Sequence, residues 1–272
     1  MDSELDLASR QLTENRAEIK YLLAAGQAAG FKKEIHRHLP SHIYTKGKTI
    51  TLVTTVYFDT PDFHFYRLNE AHPRQNVKVR VREYYYFDPE LAEHAQDLDS
   101  LFEYTPFVFL ELKRREQIVT TKQRIKILKS DLAAYLAAGG LGSRLVGSSL
   151  LDGFWQEFGQ GGALAALQAV AVAHYQRDAF QDEAGNLRLS LDSELTYHLP
   201  PAGLFGRKQA LIKENLPPLM GRQAGSVLEV KYRETPPVWL QELLAGLPPA
   251  NFSKFRECCR CAIQEKSRAA AV

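Results

Sequence analysis

The sequence predicts an α+β protein built on a mainly antiparallel β-sheet, and three observations carry that prediction. First, five stretches alternate between apolar and charged residues. They are Val77-Lys78-Val79-Arg80-Val81-Arg82, Leu110-Glu111-Leu112-Lys113, Lys122-Gln123-Arg124-Ile125-Lys126, Leu187-Arg188-Leu189-Ser190-Leu191-Asp192 and Leu228-Glu229-Val230-Lys231-Tyr232-Arg233. A period of two means strand, with one apolar and one charged face. Second, strands outnumber helices and are separated by hairpin-like links, which favours antiparallel pairing. Third, the charged faces repeat one chemistry, Lys and Arg with an occasional Glu. In a sheet that curves shut, those faces would line a single cavity suited to a polyanion and a divalent metal.

The elements follow in order. Residues around Leu5 to Arg10 read as a short helix or a lead, and Ile19 to Leu23 as a strand entered from Arg16 and Glu18. A basic helix-like stretch covers Phe31 to Leu39. Thr49 to Asp59 is rich in Thr and Val and runs as a strand into the turn Tyr57-Phe58-Asp59-Thr60-Pro61, with one helical turn over Phe63 to Arg67. The strand of Val77–Tyr86 leads into an acidic insertion, Phe87 to Glu103. Phe107–Arg114 and Ile118–Leu128 form a hairpin through Arg115–Gln117. Ser130 to Leu141, capped by Ser130-Asp131, and Leu150 to Val172 read as helices in which Ala and Leu dominate. Gly139-Gly140 and Gly161-Gly162 read as caps. Ala171–Phe180 and Leu187–Tyr197 are strands joined by the turn Glu183-Ala184-Gly185-Asn186. Pro200 to Gly225 reads as an irregular connection, Val227–Arg233 as the last strand, and Pro237–Leu247 and Lys254–Glu265 as helices.

The whole-chain numbers exclude more than they assign. The 272 residues, 45% apolar and 24% charged, suit a globular protein with a sizeable core. A net charge of +2 gives no bulk argument for nucleic-acid binding. No run approaches the roughly 18 apolar residues of a membrane span, and the acidic start has no secretory h-region. Cys258, Cys259 and Cys261 are too few for a closed zinc site and too close in sequence for an easy disulfide, so they read as reduced thiols on a terminal helix. A cytoplasmic location is expected from that thiol usage.

The charged positions are the candidate site. Lys78, Arg80 and Arg82 on one strand face repel one another unless an anion or interleaved carboxylates compensate, which favours an anion site. Leu110-Glu111-Leu112-Lys113 and Leu228-Glu229-Val230-Lys231 repeat one pattern. Each Glu-x-Lys reads either as a plain salt bridge or as a metal ligand beside a phosphate clamp, because Mg²⁺ and Mn²⁺ take carboxylate oxygens and phosphate takes Lys or Arg. Arg16-Ala17-Glu18-Ile19-Lys20 places three charges on one face, equally readable as a solvated edge strand. Arg177 and Lys254 are isolated cations in aromatic surroundings, and the residues alone leave their role open. The eight histidines show no metal spacing, and no Ser-His-Asp set, P-loop or Gly-rich dinucleotide motif is present.

Taken together, these residues resemble the VTC-type polyphosphate polymerase domain, a branch of the triphosphate tunnel metalloenzyme superfamily. The resemblance covers about Glu14 to Ile263 and rests on ordered pieces. These are Arg16-Ala17-Glu18-Ile19-Lys20-Tyr21, Val56-Tyr57-Phe58-Asp59-Thr60-Pro61, the Val77–Arg82 strand, Phe109-Leu110-Glu111-Leu112-Lys113-Arg114, Tyr175-Gln176-Arg177-Asp178-Ala179-Phe180, Leu189-Ser190-Leu191-Asp192, Leu228-Glu229-Val230-Lys231-Tyr232 and Phe252-Ser253-Lys254-Phe255. It implies an antiparallel β-barrel with a charged lumen and peripheral helices, as one domain over 14–265 between a 1–13 lead and a 266–272 tail.

The resemblance also implies roles. Lys20, Arg80, Arg82, Lys113, Arg177 and Lys254 would act on the transferring phosphates, with Arg16, Lys78, Lys231 and Ser253 as further phosphate contacts. Glu229 would hold Mn²⁺ or Mg²⁺, helped by Glu18 and Glu111. The implied reaction transfers the γ-phosphate of ATP to a growing polyphosphate chain and releases ADP. A triphosphatase acting in the same tunnel and a non-catalytic polyphosphate-binding module are the alternatives. Arg16 stands where the hydrolase branch carries the first Glu of Glu-x-Glu-x-Lys, which favours transferase over hydrolase. Eukaryotic relatives join this domain to membrane and inositol-phosphate-sensing domains, and no segment here reads as either.

Overall fold

The computed structural model describes residues 9–12, 17–43, 48, 50–73, 75–87, 105–116, 119–142, 151, 167–206 and 210–270. Among the described residues ten strands form one antiparallel sheet: β1 (Ser9–Leu12), β2 (Ala17–Leu23), β3 (Ile50–Asp59), β4 (Gln75–Phe87), β5 (Phe107–Glu116), β6 (Val119–Leu128), β7 (Gln168–Gln181), β8 (Leu187–His198), β9 (Leu219–Arg222) and β10 (Ser226–Tyr232). Their order is β1-β6-β5-β4-β3-β7-β8-β10-β2, with β9 on β8. The α-helices among the described residues are α1 (Gln27–His36), α2 (His64–Ala71), α3 (Lys129–Ala137), α4 (Val238–Leu243) and α5 (Lys254–Ala270).

The sheet curls, and register shifts in the β3–β7, β7–β8 and β8–β9 ladders bend it, since a bulge sharpens local twist. Curling brings Glu18 of β2 within 3.7 Å of Lys113 of β5, although β5 stands near one end of the strand path and β2 at the other. Among the described residues, however, no ladder joins the edge strands β1 and β2. The expectation of a closed barrel is therefore met as a curved, open-path sheet. β1 spends its ladder on β6, and residues 13–16, which link β1 to β2, lie outside the described residues.

Two apolar clusters hold this sheet and its helices together. In the larger, Phe255, Cys258, Cys259 and Ala262 of α5 pack with Tyr57 and Tyr197, and Leu132 and Tyr135 bring in α3. In the smaller, Ile35 of α1 and Leu240 of α4 cover Leu189, Leu228 and Val230. The three cysteines are buried free thiols on α5, as read from the sequence. The Asp59-Thr60 turn anchors α2. The Asp59 carboxylate accepts bonds from the backbone N–H groups of Thr60 (2.8 Å), Phe65 (2.9 Å) and Tyr66 (2.9 Å), closing the first turn of that helix.

Five element assignments change. Ser9–Leu12 is a strand paired with β6, where a short helix or lead was expected. Residues 168–172 are strand rather than helix, because β7 pairs with β3 from Gln168 onward and its Ala/Val run is buried in the sheet. Ser130-Asp131 is not a side-chain cap: α3 leaves β6 directly at Leu128, and the Lys129 N–H donates to Pro106 O at 2.8 Å. The 200–225 connection contains β9, and α2 extends past one turn to Ala71. The acidic insertion, except Phe87 at the end of β4, and Gly161-Gly162 lie outside the described residues.

The β2–β10 pairing depends on Gly225. Its φ is +76°, and an added Cβ would lie 1.9 Å from the Leu23 carbonyl oxygen. Gly225→Ala is therefore expected to cost about 2 kcal/mol or more of folding stability, because both the left-handed backbone and the close approach are lost. A denaturant midpoint equal to that of the unsubstituted protein would contradict this.

Candidate functional site: an interior face of cations

Strand registers place the charged residues in rows on the concave face. Lys78 on β4 stands opposite Lys113 on β5, which stands opposite Lys122 on β6. The next row is Arg80, Glu111, Arg124, and the one after is Arg82, Phe109, Lys126. Across the sheet, Arg177 faces Asp192, and Glu229 and Lys231 face Lys20 and Glu18. Each row exists because antiparallel partners share a face.

Three carboxylate-centred groups organise these cations. In the first, Glu111 is fully buried and receives Arg80 Nε at 2.8 Å, Lys122 Nζ at 2.9 Å, Arg124 Nε at 3.4 Å and Arg82 Nη1 at 3.6 Å. Burial opposes its ionisation, but Arg80, Arg82 and Lys122 hold the carboxyl well below the usual range. In the second, Arg177 grips Asp192 with two parallel bonds of 2.6 and 2.8 Å, and Lys254 Nζ adds a third at 2.5 Å. In the third, Glu18 and Glu229 share Lys20, Lys113 and Lys231. Lys231 lies 2.5 Å from Glu229, and Lys20 lies 3.1 Å from Glu18 and 3.9 Å from Glu229. Lys113 and Lys231 lie 3.7 and 3.8 Å from Glu18. Burial and the Glu229 charge raise the Glu18 pKa, yet Lys231, Lys113 and Lys20 bring it down to about 2.

The two Glu-x-Lys repeats thus behave differently. Glu229 pairs with its own Lys231, whereas Glu111 turns to four cations on flanking strands. The helix α5 completes the face from below. Ser253 accepts a 3.2 Å bond from Lys78 Nζ, Lys254 reaches Asp192, and Lys20 Nζ donates to Phe252 O at 3.4 Å. The partial positive charge of that helix N-terminus adds to the interior field.

Several buried polar atoms on this face make no hydrogen bond among the described residues: the hydroxyls of Thr51, Thr55 and Tyr175, and Arg82 Nε. Buried groups ordinarily find a partner, so these mark space for a polar ligand. Lys78 lies on the same face, its Nζ bonded to the Ser253 hydroxyl. Burial first, then Lys20, Lys113 and Arg80, push its pKa down to about 7.

Of the residues singled out in the sequence, Lys20, Glu18, Lys113, Glu229 and Lys231 come together, as do Arg80, Arg82 and Glu111, Arg177 and Lys254, and Lys78 and Ser253. Arg16 lies outside the described residues. Three contributors were not singled out as site residues: Lys122, Arg124 and Asp192. All three stand in the alternating stretches, so their strand period was the available signal.

Among the described residues no three of His, Cys, Asp and Glu gather to hold a metal. A Mg²⁺- or Mn²⁺-type site requires only one or two carboxylates, phosphate oxygens and water supplying the rest. Glu18 and Glu229, held ionised side by side, are the donor set that fits.

A curved antiparallel sheet whose concave face gathers cations around single carboxylates defines the triphosphate tunnel class of fold. The VTC domain family matches residues 15–263, and the chain belongs to that family. A candidate adenylate cyclase from Bacillus halodurans superposes with a TM-score of 0.50 at 14% identity, over 89% of this chain and 98% of its own. A candidate adenylyl cyclase from Hippeastrum, described as having a dominant triphosphatase activity, gives 0.47 at 18% identity, over 89% and 94%. At such identity the Bacillus likeness speaks for the fold alone. No curated protein matches the chain. No described helix is long and apolar enough to cross a membrane.

Two outcomes follow from this geometry. Glu111→Gln leaves four cations without their shared counter-charge, so folding stability should fall by about 3 kcal/mol. Inorganic tripolyphosphate should then raise the melting temperature of Glu111→Gln more than that of the unsubstituted protein; an equal rise in both would count against this compensation. The second concerns pH. Lys78 has a folded pKa below its unfolded one, so from about pH 7 to pH 10 the unfolded chain binds more protons and this group makes stability rise with pH. A bound polyanion favours the charged amine, so tripolyphosphate binding at about pH 8 should take up about one proton. Calorimetry in two buffers of different ionisation heat reads that uptake, and Lys78→Met should abolish it.

Proposed function

We propose that this protein is a metal-dependent polyphosphate polymerase that transfers the γ-phosphate of ATP to a growing polyphosphate chain in a basic tunnel. The single observation that carries the reading is the arrangement of interior cations in three carboxylate-centred groups along one continuous face. A triphosphate needs only one such group. Three give room for a nucleotide donor and a chain acceptor together, within one domain over 14–265.

Phosphoryl transfer requires positioning and charge neutralisation more than a protein nucleophile. Arg80, Arg82, Lys113 and Lys20 are set to bind the phosphates that react, and Arg177 and Lys254, cross-linked through Asp192, to hold the neighbouring stretch in line. Lys78, Lys231, Ser253 and Arg16 extend the grip. Glu229 with Glu18 would hold Mn²⁺ or Mg²⁺, which when bound neutralises charge on the phosphate oxygens. Glu111, surrounded by Arg80, Arg82, Lys122 and Arg124, serves better as the fixed counter-ion that orients those cations than as a metal ligand. In sequence, Arg16 in place of a carboxylate leaves one acid fewer ahead of Glu18 for activating water, which supports transfer over hydrolysis.

Incubation with ATP and Mn²⁺, followed by phosphorus NMR, tests the reading. Internal chain phosphates growing alongside ADP are expected. Orthophosphate without chain signals would replace the polymerase by a triphosphatase, and unchanged ATP would leave a binding module. Glu229→Gln should lower the rate on the order of 10²-fold or more, whereas a binding module would keep its affinity.

A further inference from the structure

Beyond Arg82 the concave face changes character. The next positions of β4 with the same orientation are Tyr84 and Tyr86; on β5, Phe109 stands opposite Arg82 and Phe107 is the next position with the same orientation. These four rings, with Arg82 and Lys126, line a cavity of about 220 Å³. The Tyr84 and Tyr86 rings lie 2° from parallel with centroids 6.3 Å apart, and Phe109 meets Tyr84 edge-on at 5.8 Å. Arg124 sits 3.8 Å from the Phe109 centroid and Lys126 sits 4.4 Å from that of Phe107.

Ring walls of this kind do not serve phosphate, because the negative face of an aromatic ring repels an anion. They serve a flat, neutral ring system, which stacks on aromatic side chains whatever its sequence identity. The volume is below the ~300–1,000 Å³ of a site that encloses a whole small ligand, and so suits one ring system rather than a complete nucleotide. Arg82 stands at the border. Its guanidinium lies 3.6 Å from Glu111, donates to the Tyr84 hydroxyl at 3.3 Å and forms part of the cavity wall. Stacking space and phosphate-binding cations are thus joined through one residue.

We infer that the Tyr84–Tyr86–Phe107–Phe109 cavity is the base-stacking subsite for a nucleoside triphosphate donor. The base enters between the aromatic walls, the phosphates pass Arg82, and the terminal phosphate lies deepest, towards Arg80 and Lys113. The donor therefore has a fixed polarity, and an acceptor chain must approach from the side of Lys78, Lys113 and Lys231. The inference rests on the nucleotide-donor reading given above.

The test compares ATP with inorganic tripolyphosphate, both with Mn²⁺, on the full chain and on Tyr86→Leu and Phe107→Leu. Ethenoadenosine triphosphate serves as a fluorescent probe of stacking. The expected result is ATP affinity about tenfold lower in each variant, tripolyphosphate affinity unchanged, and loss of the base quenching seen with the unsubstituted chain. Retained tripolyphosphate binding also shows that the variants fold. Equal losses for both ligands, or no loss for either, would overturn the subsite. An unsubstituted chain that binds tripolyphosphate as tightly as ATP, without quenching the base, would remove the subsite and leave the phosphate-binding reading intact. Failure to bind either ligand would remove both.

Discussion

Everything in this molecule is arranged around the burial of positive charge on one sheet face. Moving a cation out of water is costly unless a partner sits close by, and the effective penalty is several kcal/mol per ion. Glu111 shows how the fold meets that constraint. One fully buried carboxylate on β5 is reached by cations from β4 and β6, so a single negative charge fixes four positive ones. Asp192 does the same between β7 and α5, and Glu18 with Glu229 does so between β2, β10 and β5. The carboxylates are fewer than the cations they serve, and the shortfall is what gives the interior its appetite for an anion.

That shortfall has a structural cost which the rest of the fold carries. Among the described residues the Thr51, Thr55 and Tyr175 hydroxyls are buried without hydrogen bonds, and burial with the neighbouring cations pushes the Lys78 pKa down to about 7. Such departures from ordinary satisfaction gather where function is, and stability must come from elsewhere. Here it comes from the helices: α5 seats Phe255 and three cysteines against β7 and β8 beside the interior cations, and α1 and α4 cover β8 and β10 on the opposite face. The same helix α5 that supplies this packing delivers Ser253 and Lys254 to the interior. Core and site are consequently coupled at one chain segment.

The sequence made much of this legible for a specific reason. Alternation with period two reports a strand and its faces at once, so Lys78, Arg80, Arg82, Lys113, Glu229 and Lys231 could be assigned to one charged surface before any pairing was known. What it could not report was which strands lie side by side. Glu111 and Glu229 carry the same local signature, Glu-x-Lys, yet one neutralises four cations and the other pairs with its own lysine. The difference resides in the neighbours, β4 and β6 for Glu111 and β2 and β8 for Glu229. Arg177 and Lys254 were ambiguous for the same reason, since Asp192 joins them only in three dimensions. The run at 168–172 failed differently: Ala and Val in a fully buried strand carry no alternation and imitate a helix.

The asymmetry along the concave face bears on what kind of reaction this interior can run. A site that hydrolyses a triphosphate needs cations to hold the leaving group and a carboxylate-rich corner to activate water. In this chain most carboxylates are already spent on cations: Glu111 between four, Asp192 between two, Glu229 against Lys231. Only the Glu18–Glu229 pair keeps two acids adjacent among the described residues of this face, and Arg16 adds a cation to the start of that strand's sequence. For the polymerase proposed above, an acceptor that brings its own negative oxygens would supply charge the interior lacks at every phosphate it occupies. Growth of a phosphate chain would then leave that counter-charge in position after each transfer.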